Sequence, residues 1–92
     1  MILYHSTTEQ KACLILREGF RDHTDYYMTR HLHTGVWLSD IPLDEGASSE
    51  ALLRLELDEA KILPFEWFEE GKGYREFLIP ADLVNSVKPE RG

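Results

Sequence analysis

Cysteine is nearly absent: Cys13 is the one thiol in the 92-residue chain, so no internal disulfide can staple it. It sits in the apolar run Ala12–Leu16, which predicts a buried, inert thiol. No apolar stretch reaches the roughly 18 residues of a membrane span, and no basic-plus-apolar leader opens the sequence. We therefore expect a cytoplasmic protein with no membrane partner. Basic residues are also scarce, with ten Lys and Arg against 17 Asp and Glu and a net charge of −7. That balance opposes non-specific adhesion to DNA, RNA or anionic lipid. The acids gather in one stretch, where Asp40, Asp44, Glu45, Glu50, Glu56, Asp58 and Glu59 accompany only Arg54. A solvated acidic flank is expected there.

Missing motifs narrow the chemistry further. There is no glycine-rich phosphate loop of the Walker or dinucleotide type. There is no Gly-x-Ser-x-Gly elbow either, which removes the support for a hydrolytic triad of Ser39, Asp40 and His5. His31 and His33, with His23 upstream, form the one metal-like cluster. A zinc site wants three or four ligands with fixed support, and no second cysteine is present. Solvated loop histidines and no metal are expected.

What remains suits one small folded domain, 1–92, expected to be monomeric: the chain is 42% hydrophobic, with four Phe, four Tyr and two Trp. Ile2–His5 reads as a short strand. Thr7 with Gln10 three residues on is a capping-box pattern, and Ala12, Ile15 and Leu16 keep helical spacing before Gly19. Phe20–Asp22 reads as a brief extended piece. His23–Thr34 is polar and without period, so it reads as a long loop. Gly35–Asp40 is a strand closed by Pro42, and Leu43–Ser49 a loop or helical turn. Ala51–Asp58 alternates, placing Leu53, Leu55 and Leu57 inward. Phe65–Glu70 reads as a short helix ended by Gly71 and Gly73, and Tyr74–Ile79 as a strong strand. Pro80 opens a helical turn through Val84, and Ser86–Lys88 is a last extended piece. Short strands with one main N-terminal helix predict an α+β fold with a mostly antiparallel, split sheet.

Two features stand out. In Met1–Thr7 a buried strand carries an imidazole, His5, to its tip, beside a helix N-terminus whose unpaired N–H groups suit anions. In Tyr74–Ile79, Phe77 and Ile79 share a face with Arg75, while Glu76 lies opposite with Tyr74 and Leu78. A carboxylate on such a face is either an edge residue in water or a cleft acid.

Three segments together resemble the ADP-ribosyltransferase fold. Leu3-Tyr4-His5-Ser6-Thr7 resembles its first-strand signature, followed by a helix ending in Gly-Phe. Gly35-Val36-Trp37-Leu38-Ser39-Asp40 is similar to its middle strand, and Tyr74-Arg75-Glu76-Phe77-Leu78-Ile79-Pro80 to its last motif strand. The likeness is to the diphtheria-toxin and poly(ADP-ribose) polymerase branch, with a His-Tyr-Glu triad, in a minimal, toxin-like bacterial or phage form. The resemblance implies NAD as substrate. It implies that His5 binds the adenosine ribose, that the Ser6 backbone holds the nicotinamide amide, and that Trp37 stacks on nicotinamide, with Thr7 and Ser39 beside them. Glu76 is implied as the catalytic residue, binding the nicotinamide-ribose 2′-hydroxyl and steadying an oxocarbenium-like transition state.

This sequence departs from the family where Ser6 stands for a Gly and Trp37 for a Tyr. Tyr26 or Tyr27, on the long segment before Trp37, is expected to close over the nicotinamide as a lid ordered by ligand. The expected activity is ADP-ribose transfer from NAD to an unknown protein or nucleic-acid target, or NAD glycohydrolysis. The alternatives are a non-catalytic NAD-cleft or partner-binding module, such as an antitoxin or phage inhibitor, and an RNA 2′-phosphotransferase. For the last, the arginines are scattered where a phosphate site wants several together.

Overall fold

The structure, a computed structural model, describes residues 1–26, 32–42 and 50–92, and the side chains of 1–22, 34–42 and 50–92. Along the chain run β1 (Ile2–Thr7), α1 (Glu9–Glu18), β2 (His23–Tyr26), β3 (Leu32–Ser39) and β4 (Ala51–Glu56). After them come α2 (Glu59–Ile62), a 3-10 turn (Leu63–Phe65), β5 (Glu66–Trp67), β6 (Glu76–Ile79), α3 (Ala81–Val84) and β7 (Glu90–Arg91). This is an α+β protein. Six strands lie in the order β5-β6-β3-β1-β4-β7, with β2 paired to β3 off that path. Every described pairing is antiparallel.

Alternation decides which face is buried. Leu3 on β1, Val36 and Leu38 on β3, Leu53 and Leu55 on β4, and Phe77 and Ile79 on β6 form one apolar face. Against it α1 presses Ala12, α2 Ile62 and α3 Ala81 and Val84. The inward leucines of residues 51–58 are where their period-two pattern puts them.

The centre of the sheet is its weak point. β1 and β4 pair along six residue positions, and β3 and β6 along four. Between β1 and β3 the one register pair is Tyr4↔Ser39. Beyond it the two strands part, so two half-sheets share a narrow seam. Gly35 sits at the start of the β3 half. A Cβ there would stand 3.0 Å from the Ile79 carbonyl oxygen, and φ is +153°, so a side chain would be strained and crowded.

Several expectations need correction. The segment read as a loop from residue 23 to 34 contains β2 and the start of β3, which pair from His23↔Gly35 to Tyr26↔Leu32. Backbone pairing makes this ribbon, so its polar sequence carries no apolar period. Cys13 is exposed, not buried. α1 turns Ala12 to the core, leaving Leu14 and Leu16 each 40% exposed and Cys13 against Glu9 and Arg91 at the surface.

Thr8, rather than Thr7, caps α1, its hydroxyl accepting from the Lys11 N–H, because Thr7 still belongs to β1. The second helix begins at Asp58, whose carboxylate caps the Ala60 N–H, and residues 66–67 are strand instead of helix. Pro80 is the N-cap of α3, and Ala81 its first residue. The last strand is Glu90–Arg91, two residues beyond the expected Ser86–Lys88. Phe20 packs into the core outside any strand. Residues 43–49 lie outside the described residues.

Candidate functional site

Where β1 and β3 separate, a cavity of about 480 Å³ opens beneath α1. That volume is in the range of small-molecule sites. β1 contributes His5, Ser6 and Thr7; α1 and its cap contribute Thr8, Lys11, Leu14 and Ile15. The chain leaving α1 adds Gly19 to Asp22, and β3 adds Gly35, Val36 and Trp37. Leu14, exposed for a helix leucine, is a wall of this cavity.

His5 spans the gap. Its Nδ1 lies 2.8 Å from the Trp37 carbonyl oxygen. A carbonyl only accepts, so Nδ1 carries the proton of this bond. The imidazole edge also meets the Phe20 ring at 5.3 Å, nearly perpendicular. Phe20 is fixed from below: its N–H donates to Asn85 Oδ1 at 2.8 Å, and its carbonyl accepts from Asn85 Nδ2 at 2.9 Å. Two residues on, Asp22 Oδ1 accepts the Ala81 N–H at 2.8 Å, capping α3. The Gly19–Asp22 segment is thus clamped to both ends of α3, which sets the cavity floor.

Glu76 occupies the adjoining row. Register pairs Tyr4 with Ser39 and Ser39 with Glu76, so these three residues share one sheet face. Glu76 is two strand spacings from Tyr4, about 10 Å between Cα atoms. It does not line the cavity, and by alternation His5 falls on the opposite, Leu3 face. Trp67, paired with Glu76 across β5 and β6, meets the Trp37 ring edge-on at 5.5 Å. Ser39 is buried and its hydroxyl donates to the Ile41 carbonyl at 2.7 Å, within the turn that ends β3.

Of the residues singled out from sequence, the structure gathers His5, Ser6, Thr7 and Trp37 around one cavity. It leaves Ser39 and Glu76 outside that cavity, on the sheet face opposite His5. Tyr26 ends β2, and only its backbone is described; Tyr27 and His31 lie outside the described residues. Among the described residues no group of three or more His, Cys, Asp or Glu is disposed to hold a metal ion. No helix among them is long and apolar enough to cross a membrane.

Three contributors were not anticipated. Lys11 and Arg21 bring positive charge to the cavity of an acidic protein. Their spacing from Thr7 and Gly19 marked them as cavity neighbours only once α1 was seen to roof the seam. Lys72, on the turn before β6, forms an ion pair with Glu76 and another with Glu69 at 3.3 Å. Nearby Arg75 grips Glu66 with two bonds of 2.7 and 3.1 Å. Those bonds from Arg75 hold the Glu66 carboxyl below its ordinary range.

Comparison with protein-family models, curated proteins and solved structures gives no match.

Proposed function

We propose that the seam cavity is a nucleotide cleft and that the chain cleaves NAD at its nicotinamide–ribose bond, passing ADP-ribose to a target or to water. One observation carries this reading. The two half-sheets meet at a single residue pair, and the cavity that opens beside it is lined by His5, Ser6, Thr7 and Trp37. Those are the residues to which the family resemblance gives dinucleotide contacts. Glu76, the residue it makes catalytic, lies outside that cavity on the sheet face that Trp37 and Ser39 share, so a bound dinucleotide must reach it past Trp37 at the seam.

The chemistry asked of the site is limited. The C1′–N bond breaks with its electron pair leaving on nicotinamide, and C1′ develops positive charge. An acceptor hydroxyl, amine or water then bonds to C1′ and loses a proton. A carboxylate preorganised beside the ribose favours the charged transition state over the ground state. Lys11 and Arg21 supply positive charge to the same cavity as His5, which suits a ligand with a diphosphate.

A second reading shares the cleft without the chemistry: a module that binds NAD or ADP-ribose and does not turn it over. The Lys72 contact on Glu76 favours it, because a paired carboxylate offers less field to a cation. The experiment is incubation with NAD, following released nicotinamide alongside a thermal-shift titration. Release supports the enzyme; a shift without release supports the binding module; neither removes NAD from the account.

A further inference from the structure

We propose that Lys72 is an autoinhibitory latch on Glu76: its ammonium covers the carboxylate and must swing away before Glu76 can face a cationic ribose. The inference rests on the reading of the cleft given above.

The contact is sheltered on both sides. The side chains of Lys72 and Glu76 are 14% and 12% exposed, and Glu69 holds the ammonium from the other side. Glu69 and Lys72 belong to the excursion between β5 and β6, and Glu76 opens β6. Both ends of that excursion are fixed. Trp67 pairs with Glu76, and Arg75 exchanges backbone and carboxylate bonds with Asp40 at 3.0 and 2.9 Å. The middle stands clear: a Cβ added at Gly71 or Gly73 would meet nothing within 4 Å. Gly71 has φ +84°, a conformation glycine reaches without strain. A backbone bond from the Lys72 N–H to the Glu69 carbonyl is long, at 3.5 Å. The tip is tied back through the Lys72 ion pairs and through Glu69, which accepts from Trp67 Nε1 at 3.2 Å, and it lies between two glycines able to change conformation.

The electrostatics give the contact its consequence. Two opposite charges in contact present a dipole whose attraction for a third charge falls faster than that of a bare carboxylate. A half-buried Glu76 benefits from a partner. The same partner weakens the field that an oxocarbenium-like species needs. An ammonium that the glycine-flanked turn lets swing aside reconciles the two demands.

The test compares two ligands by calorimetry on the full chain: ADP-ribose, and an ADP-linked iminoribitol whose protonated ring mimics the cation. It uses the wild type, Lys72→Met and Lys72→Arg, with Lys72→Gln replacing the first should that variant fail to fold. The latch predicts that neutralising Lys72 tightens the cationic ligand at least about tenfold relative to ADP-ribose, while Lys72→Arg leaves the ratio unchanged. An unchanged or reversed ratio on neutralisation overturns the latch and leaves the cleft reading standing. Binding of neither ligand to any of the proteins overturns the cleft reading and the latch with it.

Discussion

His5 on β1 donates its Nδ1 proton to the backbone carbonyl of Trp37 on β3, 2.8 Å away, just where the two strands cease to pair. A side chain thus takes over from the backbone ladder at the seam, and the carbonyl it satisfies belongs to a cavity residue. Replacing His5 by Ala leaves that carbonyl without this donor and removes the ring contact with Phe20. The expected cost is about 1 kcal/mol, the scale of one lost hydrogen bond. Urea unfolding followed by tryptophan fluorescence checks it; an unchanged midpoint would mean the bond is ornamental to the fold.

Asn85 and Asp22 hold the cavity floor from α3. Asn85→Ala should expose the Phe20 N–H, and Asp22→Ala the Ala81 N–H. Each change is expected to cost about 1 kcal/mol, as for the loss of a helix cap or local side-chain bond. Hydrogen exchange at those two amides gives the specific readout. Exchange should accelerate at the amide that lost its acceptor, whichever variant is studied.

Burial separates two apolar residues that the sequence alone treats alike. Phe77 is fully buried between β3 and β5, whereas Leu16 is 40% exposed on α1. Phe77→Ala should cost about 3–5 kcal/mol, a large share of a small domain's stability. Leu16→Ala should stay within about 0.5 kcal/mol. Parallel denaturation curves decide whether α1 packs as described.

Acid stability carries a sign. Bonds from Arg75 lower the Glu66 carboxyl below its ordinary 4.5, and bonds from Arg91 do the same for Glu9. A carboxyl lowered in the folded state adds stability that is fully present above 4.5 and disappears as pH falls through its folded value. The melting temperature should therefore drop on acidification below that point. In Arg75→Met the drop should be smaller but not absent, because the Glu9–Arg91 pair remains. A melting profile in Arg75→Met that matches the wild type at every pH would show that the Glu66 pair contributes nothing.

Parts of this architecture were legible because they follow a period. Leu53, Leu55 and Leu57 alternate against solvated Arg54, Glu56 and Asp58, and Phe77 and Ile79 flank Leu78, so their buried faces could be assigned from spacing. His5 and Glu76 stood out because a titratable group on an otherwise apolar strand is unusual. The ribbon of β2 with β3 was not legible, since backbone bonds build it and its polar sequence carries no period. Cys13 misled for the opposite reason: Ala12–Leu16 is apolar throughout, and only the docked helix shows which side faces the core. Lys72 depends on how a glycine-flanked turn folds back on β6, which no spacing rule encodes.

In the proposed function Glu76 acts on a dinucleotide held at the seam. Its most direct test is nicotinamide release from NAD by the wild type and by Glu76→Gln, with folding of both verified by their melting curves. Release by the wild type is expected, with a loss of at least about 30-fold in the variant, equivalent to about 2 kcal/mol of barrier. Full turnover by Glu76→Gln, or no release by the wild type, would contradict it.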